Sequence, residues 1–210
     1  MRDMFVSLSL SRSLSRHACA RRAEPVPLLP RPLPLPGEER VPILPRMLAT
    51  LIADKGKKNF IKGMWDRVHR FPGGTRAFSR AIGFAAPYTA TIDAHVVALE
   101  PGRAEVTMRD RRAVRNHIDC VHAVALANLV ELAGNIAVAY SLPDDGRFIV
   151  AKMSMEYIAK ARGPLRAIAT CPVPGTSVRQ ELEVHVSIRN EAGDEVTHGI
   201  LTSLIGPKKN

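Results

Sequence analysis

Val121-His-Ala-Val-Ala-Leu-Ala-Asn-Leu-Val-Glu-Leu-Ala-Gly-Asn-Ile-Ala-Val-Ala-Tyr140 is a twenty-residue run in which Glu131 is the only formally charged side chain. It holds no proline, its one glycine is Gly134, and Pro143-Asp-Asp-Gly146 closes it. These features predict a helix over 121–140. A helix that is apolar on every side must be covered on several sides, so the rest of the domain has to wrap it.

The flanking segments have the period of strands. Thr91 to Leu99 alternates, with Ile92, Ala94, Val96 and Ala98 on one side, and Pro101-Gly102 turns it into Arg103 to Arg109. That predicts a hairpin with one buried face. Beyond the helix, Ile149, Ala151, Met153, Met155 and Tyr157 alternate with Val150, Lys152, Ser154 and Glu156. Further strands are expected over Leu165 to Cys171, Leu182 to Arg189 and Val196 to Ile205. The predicted order is ββ, helix, ββββ, an α+β fold in which a curved antiparallel sheet wraps a long central apolar helix.

Upstream, Leu48, Leu51, Ile52, Phe60, Ile61, Met64, Trp65 and Val68 recur at helical spacing among Lys55, Lys57, Lys58 and Lys62, until Pro72-Gly-Gly74. One or two amphipathic helices packed on the following domain or on a partner are expected, rather than helices lying on a membrane. Residues 1–46 hold eight of the sixteen prolines and alternate Arg with Ser before a polyproline-like stretch. The division is therefore a tail or targeting segment over 1–46, an amphipathic helical extension over 47–81, and the sheet domain over 82–207. The cytoplasm is the expected compartment. A mitochondrial location follows if the Arg/Ser-rich start is a transit peptide, and a start codon set too far upstream of Met47 gives the same composition.

Charge narrows the function. The net +10 resides entirely in the first 87 residues: 1–46 carry eight arginines against four acids, 47–87 eight basic against two acidic residues, and 88–210 fourteen against fourteen. A neutral sheet domain with a basic tail lacks the charged folded surface that a nucleic-acid groove needs. No membrane contact is expected of it, and three scattered cysteines exclude a disulfide scaffold or zinc ribbon.

The helix entrance carries the chemistry: Arg115-Asn116-His117-Ile118-Asp119-Cys120-Val121-His122-Ala123. His117, Asp119, Cys120 and His122 have metal-ligand atoms but point in different directions at a helix start, so no metal is expected. A thiolate at Cys120 would gain from the helix N-terminus, yet His122 would not face it. Glu131 asks for a partner, because desolvating a lone carboxylate costs several kcal/mol. Asn128 and Asn135, three residues before and four after, share its face and can bond it or a substrate. A purely structural Glu131, locked by these amides or facing solvent at a dimer seam, is the competing reading. His122 and Glu131, nine residues apart, lie on opposite faces of one helix. Two subunits can bring them to one substrate, with backbone N–H groups near His122 and Ala123 polarising a thioester carbonyl.

The strand order, with Asn116, then His122, then an acid nine residues on, resembles the hotdog-fold acyl-CoA thioesterases of the PaaI-like type. The flanks Pro87-Tyr88, Pro101-Gly102, Val114-Arg-Asn116, His122-Ala, Glu156-Tyr157 and Lys160-Ala-Arg-Gly163 more closely resemble the DUF4442 branch. The resemblance, over about Ile82 to Pro207, implies a homodimer or homotetramer with active sites at the subunit interface. It implies Glu131 as general base or nucleophile, Asn116 as orienting amide, the Ala123 N–H as oxyanion donor, and no cofactor apart from the coenzyme A of the substrate. Ala123-Val124 replaces the family's Gly-Gly pair. The strand Phe148–Val150 lacks a hydroxyl that some relatives supply, and Ser154 is the nearest substitute. Lys160 and Arg162, with Lys152 and Arg166, are the cations available to the coenzyme A phosphates. A non-catalytic acyl-thioester or lipid-binding module is the alternative. A hotdog dehydratase ranks third, for want of its closely spaced Asp and His.

Overall fold

In the computed structural model, which describes residues 58–208, the chain begins with three helices, α1 (Phe60–Val68), α2 (Gly74–Ala85) and α3 (Pro87–Ala90). Strands β1 (His95–Glu100) and β2 (Arg103–Met108) follow, then a 3-10 turn at Arg112–Val114 and the central helix α4 (Ala123–Ser141). Strands β3 (Gly146–Tyr157), β4 (Leu165–Thr170), β5 (Gln180–Arg189) and β6 (Glu195–Pro207) complete it. The sheet order is β1-β2-β4-β5-β6-β3, antiparallel throughout. The expectations for residues 1–46, and for the helical stretch before residue 58, lie outside the described residues.

Helix α4 touches all six strands, as a helix without a polar face requires. Its length and apolar composition would also suit a membrane span, but most of it is buried inside the protein. Two glycines let it approach the sheet. A methyl group on Gly134 would run into Leu201 Cδ1, and one on Gly199 of β6 would run into the Val130 side chain. Leu129, Val130, Ala133, Ala137 and Val138 are fully buried against Val184, Val186, Ile188 and Leu201.

The helix starts at Ala123, with Val121 and His122 still outside it. Both long alternations are broken by a bulge. In β1 the register shifts between Val96 and Ala98, so Val96 and Leu99 are the buried pair and Ala98 is not. In β3 it shifts between Val150 and Lys152. Phe148 and Val150 therefore pack on the core before the bulge and Met155 after it, while Ile149 is 67% exposed on the outer face. An extra residue on one strand reverses every later side chain, which strict alternation cannot anticipate. The segment Thr91–Ala94 is a turn closing α3 rather than strand.

The boundary expected at residue 81 falls inside α2. The helical extension is continuous with the core: Trp65, Phe78 and Ile82 are buried in the same cluster as α4, with the Trp65 and Phe78 rings edge to face at 5.0 Å. Asn59 makes the join. Its Oδ1 accepts from the Lys62 N–H at 3.0 Å, capping α1. Its Nδ2 donates to the carbonyls of Ala139 and Leu142 at 2.8 and 2.9 Å, two of the acceptors that a helix end leaves without intrahelical partners. Beside it, the Tyr140 hydroxyl donates to Asp66 at 2.9 Å.

Replacing Asn59 by Ala removes one cap and strips donors from another helix end. Loss of about 1–3 kcal/mol is expected in urea unfolding, with α1 released first. Hydrogen exchange that leaves α1 as protected as in the parent protein would contradict this.

Candidate functional site

The loop entering α4 is built around one carboxylate. Asp110 accepts from Arg115 Nε at 2.7 Å, from Arg115 Nη2 at 3.2 Å and from the Gly163 N–H at 2.9 Å, and its side chain is only 5% exposed. The Arg115 hydrogen bond, offset in part by desolvation and aided by the Gly163 N–H, holds its pKa below the ordinary carboxylate value. Arg115 also reaches Asp119 at 2.8 Å, and Arg162 Nε donates to the Asp119 carbonyl at 3.2 Å. Asp119 has φ +57, the left-handed turn that Asp tolerates better than most residues.

Inside this frame Asn116 shapes the turn. Its Oδ1 accepts from the N–H groups of Ile118 and Cys120 at 3.0 and 3.2 Å. The side chain therefore holds the loop by its oxygen, leaving the Nδ2 side as a donor. His122 caps the helix, its Nδ1 accepting from the Val124 N–H at 3.1 Å. Its own N–H is taken by the Val114 carbonyl at 2.7 Å and that of Val121 by Ala161 at 2.9 Å. Of the backbone donors expected around His122 and Ala123, the His122 N–H is thus already used. The Ala123 N–H, in the first turn, keeps no intrahelical partner. Cys120 is buried, with its thiol near the Ile118 carbonyl at 3.5 Å, and no metal-holding group of His, Cys, Asp and Glu occurs among the described residues.

Glu131 is exposed. Of the two environments the sequence left open, a carboxylate locked by neighbouring amides or one facing outward, the second is the one seen: it stands on the one open stripe of α4, with Val124, Ala127 and Asn135. Among the described residues its carboxylate has no hydrogen-bond partner. Asn135 Oδ1 is shielded from water and unpartnered. Asn128 belongs elsewhere: it is 4% exposed, and its Nδ2 donates to the Tyr88 carbonyl at 3.2 Å, tying α4 to α3. Along one helix the Ala123 N–H and Glu131 are separated by about 12 Å of rise, so one chain cannot apply both to one carbonyl.

Strand β3 is an edge of the sheet. Met153 and Tyr157, on the helix side, are 40% and 52% exposed, and the Tyr157 hydroxyl lies 3.4 Å from the Ala123 carbonyl. Ser154, between Met153 and Met155, points to the opposite face by strand alternation, away from the helix entrance. Lys152 shares that outer face. Lys160 and Arg162 are exposed next to the entrance loop, whereas Arg166 is paired with Glu105 at 2.6 Å. Sequence reasoning missed Asp110: nothing in its immediate neighbours marks a carboxylate that binds residues 115 and 163.

An antiparallel sheet wrapped around one long helix is the hotdog fold. DUF4442, a domain of unknown function, matches residues 74–205, and the chain belongs to that family. The structural-genomics protein APC5556 is similar at 35% identity, covering 71% of this chain and 99% of its own, with TM-score 0.62. The thioesterase HI1161 from Haemophilus influenzae is 17% identical over 57% of this chain and 82% of its own, TM-score 0.52. The thioesterase SAV0944 from Staphylococcus aureus is 20% identical over 58% and 99%, TM-score 0.52. No curated protein matches the chain.

The Asp110 anchor gives the entrance loop a pH dependence. A carboxyl whose folded pKa is depressed contributes stability above its unfolded pKa of about 4 and loses it as pH falls through the folded value. Asp110→Asn should lower Tm at neutral pH, and the gap to the parent protein should close as pH drops below about 4. A gap unchanged down to the acid limit would show that Asp110 is not held ionised by Arg115.

Proposed function

We propose that the protein hydrolyses acyl thioesters of the acyl-CoA type at sites formed between two copies of the chain, with Glu131 activating water. The observation that carries this reading is the position of Glu131. It is the only formal charge on a helix otherwise sunk in apolar core, and among the described residues it stands unpartnered on that helix's open stripe with the unsatisfied Asn135 oxygen one turn away.

In the reaction, the Glu131 carboxylate takes a proton from water as the oxygen attacks the thioester carbonyl. The oxyanion is met by the Ala123 N–H at the first turn of the other copy's α4, where the helix dipole adds positive potential. Asn116, fixed by its oxygen, presents its Nδ2 from the same loop. Collapse of the tetrahedral adduct expels the thiolate, which is then protonated, and leaves the acid. The roughly 12 Å between donor and base within one helix is the reason for invoking a second copy. The outer edge of β3, unpaired among the described residues and with Met153 and Tyr157 half open, is the surface on which it would sit. Lys160 and Arg162 are near enough to the entrance loop to meet the coenzyme A phosphates.

The fold neighbours HI1161 and SAV0944 are called thioesterases. SAV0944 has been crystallised with a glutamine and, separately, a glutamate changed to alanine, fifteen positions apart. Asn116 and Glu131 have that same spacing. A non-catalytic acyl-binding role has one observation of its own: the Val124 side chain, 52% exposed, stands in the first helical turn where PaaI-like relatives place glycine.

Thiol release from short, long and aromatic acyl-CoAs decides between them. Glu131→Gln should lower kcat by about 10²–10⁴-fold with folding and assembly size unchanged. Equal turnover in the variant would remove Glu131 from the mechanism. Saturable acyl-CoA binding without turnover in the parent protein would establish the binding module.

A further inference from the structure

A groove of about 940 Å³ opens between α2, α3 and the outer edge of β1, within the size range of small-molecule sites. Its walls divide by chemistry. Ile82, Phe84, Val97 and Leu132 supply an apolar side, with Phe84 38% and Val97 36% exposed. Arg76 and Arg80, one turn apart on α2, and Arg109, at the end of β2, supply cations. The acid in the lining, Asp93, pairs with Arg109 at 3.0 Å. Arg76 and Arg80 have no carboxylate partner among the described residues. His95 bonds Thr75 Oγ1 at 3.0 Å, and burial, with Arg76 adding to it, pushes the imidazole pKa down.

We propose that this groove binds a long-chain carboxylate, its head between Arg76 and Arg80 and its tail on the apolar wall toward Leu132. A guanidinium matches a carboxylate through paired N–H donors, and two such groups without acidic partners favour an anion. The half-open Phe84 and Val97 favour an occupant with an apolar tail over a bare ion, which would leave that wall wet. Leu132 lies about 100° round α4 from Glu131, and Glu131 is not part of the lining. The groove is therefore separate from the proposed hydrolytic centre, and its occupancy does not depend on hydrolysis.

Calorimetric titration of the full chain tests this with dodecanoate, dodecanol and inorganic phosphate as probes. Dodecanoate is expected to bind saturably, one per chain, at least about tenfold tighter than the neutral alcohol or phosphate, the equivalent of one charge-assisted hydrogen bond. Arg76→Glu combined with Arg80→Glu should weaken it by at least about tenfold. Val97→Trp, which fills the apolar wall from an exposed strand position, should weaken it while leaving the arginines in place. Glu131→Gln should leave it unchanged. Absence of saturable dodecanoate binding overturns the proposal, as does phosphate binding equally well, which would mark a simple anion patch. Unchanged affinity in the folded groove variants, or loss in Glu131→Gln, overturns it too, the latter by placing the ligand at the helix entrance.

Discussion

Everything in this domain answers to the desolvation of α4. A helix with no polar face cannot lie on a surface, so the sheet curves until all six strands touch it, and Gly134 and Gly199 clear the space for close approach. Burial along its length leaves the two ends as the places where polar groups need partners. At the C-terminal end Asn59 takes up carbonyls, and Ser141 accepts from the Gly102 N–H at 2.8 Å, linking the helix to the β1–β2 turn. At the N-terminal end the His122 side chain caps the Val124 N–H, and the Val121 and His122 N–H groups just before the helix bond Ala161 and Val114. The apolar helix thereby concentrates its polar chemistry at its ends and along one open stripe.

That concentration explains what could be read from the residues and what could not. The helix, the strand order and the α+β class follow from local periodicity, because each element has one dominant face. The breaks in register do not: neither Val-Val-Ala around the bulge at Val97 nor Val-Ala-Lys around that at Ala151 announces an unpaired residue. Glu131 was visible as an anomaly, but the choice between a covered and an open position was not, since a charge in an apolar run looks the same whether the stripe it occupies is covered or open. Asn128 and Asn135 have the same spacing logic relative to Glu131, and only the docking of α3 separates them. Asn59 and Asp110 act on residues far away in sequence, and such partners have no local signature.

The candidate site combines a stiff part and an open part. Asp110, Arg115, Asn116, Asp119 and Arg162 hold the loop at the helix start through hydrogen bonds that do not depend on a ligand. Glu131 has no such constraint among the described residues. Oxyanion donors work by being fixed before charge develops, whereas a base that handles water needs access to it. In the proposed hydrolysis, the division between a rigid entrance and an open carboxylate would suit those two demands.

The two borders of the sheet are treated differently. At β1 the Ser79 hydroxyl accepts from the Val96 N–H at 2.9 Å, and α2 lies across the strand; at β3 no strand among the described residues pairs with the outer side. Unpaired strand borders invite further strands and, repeated without end, fibres. If two copies met through β3, as the proposed site requires, the joined sheet would carry a strand flanked by α2 at each extremity, which would disfavour the addition of further strands.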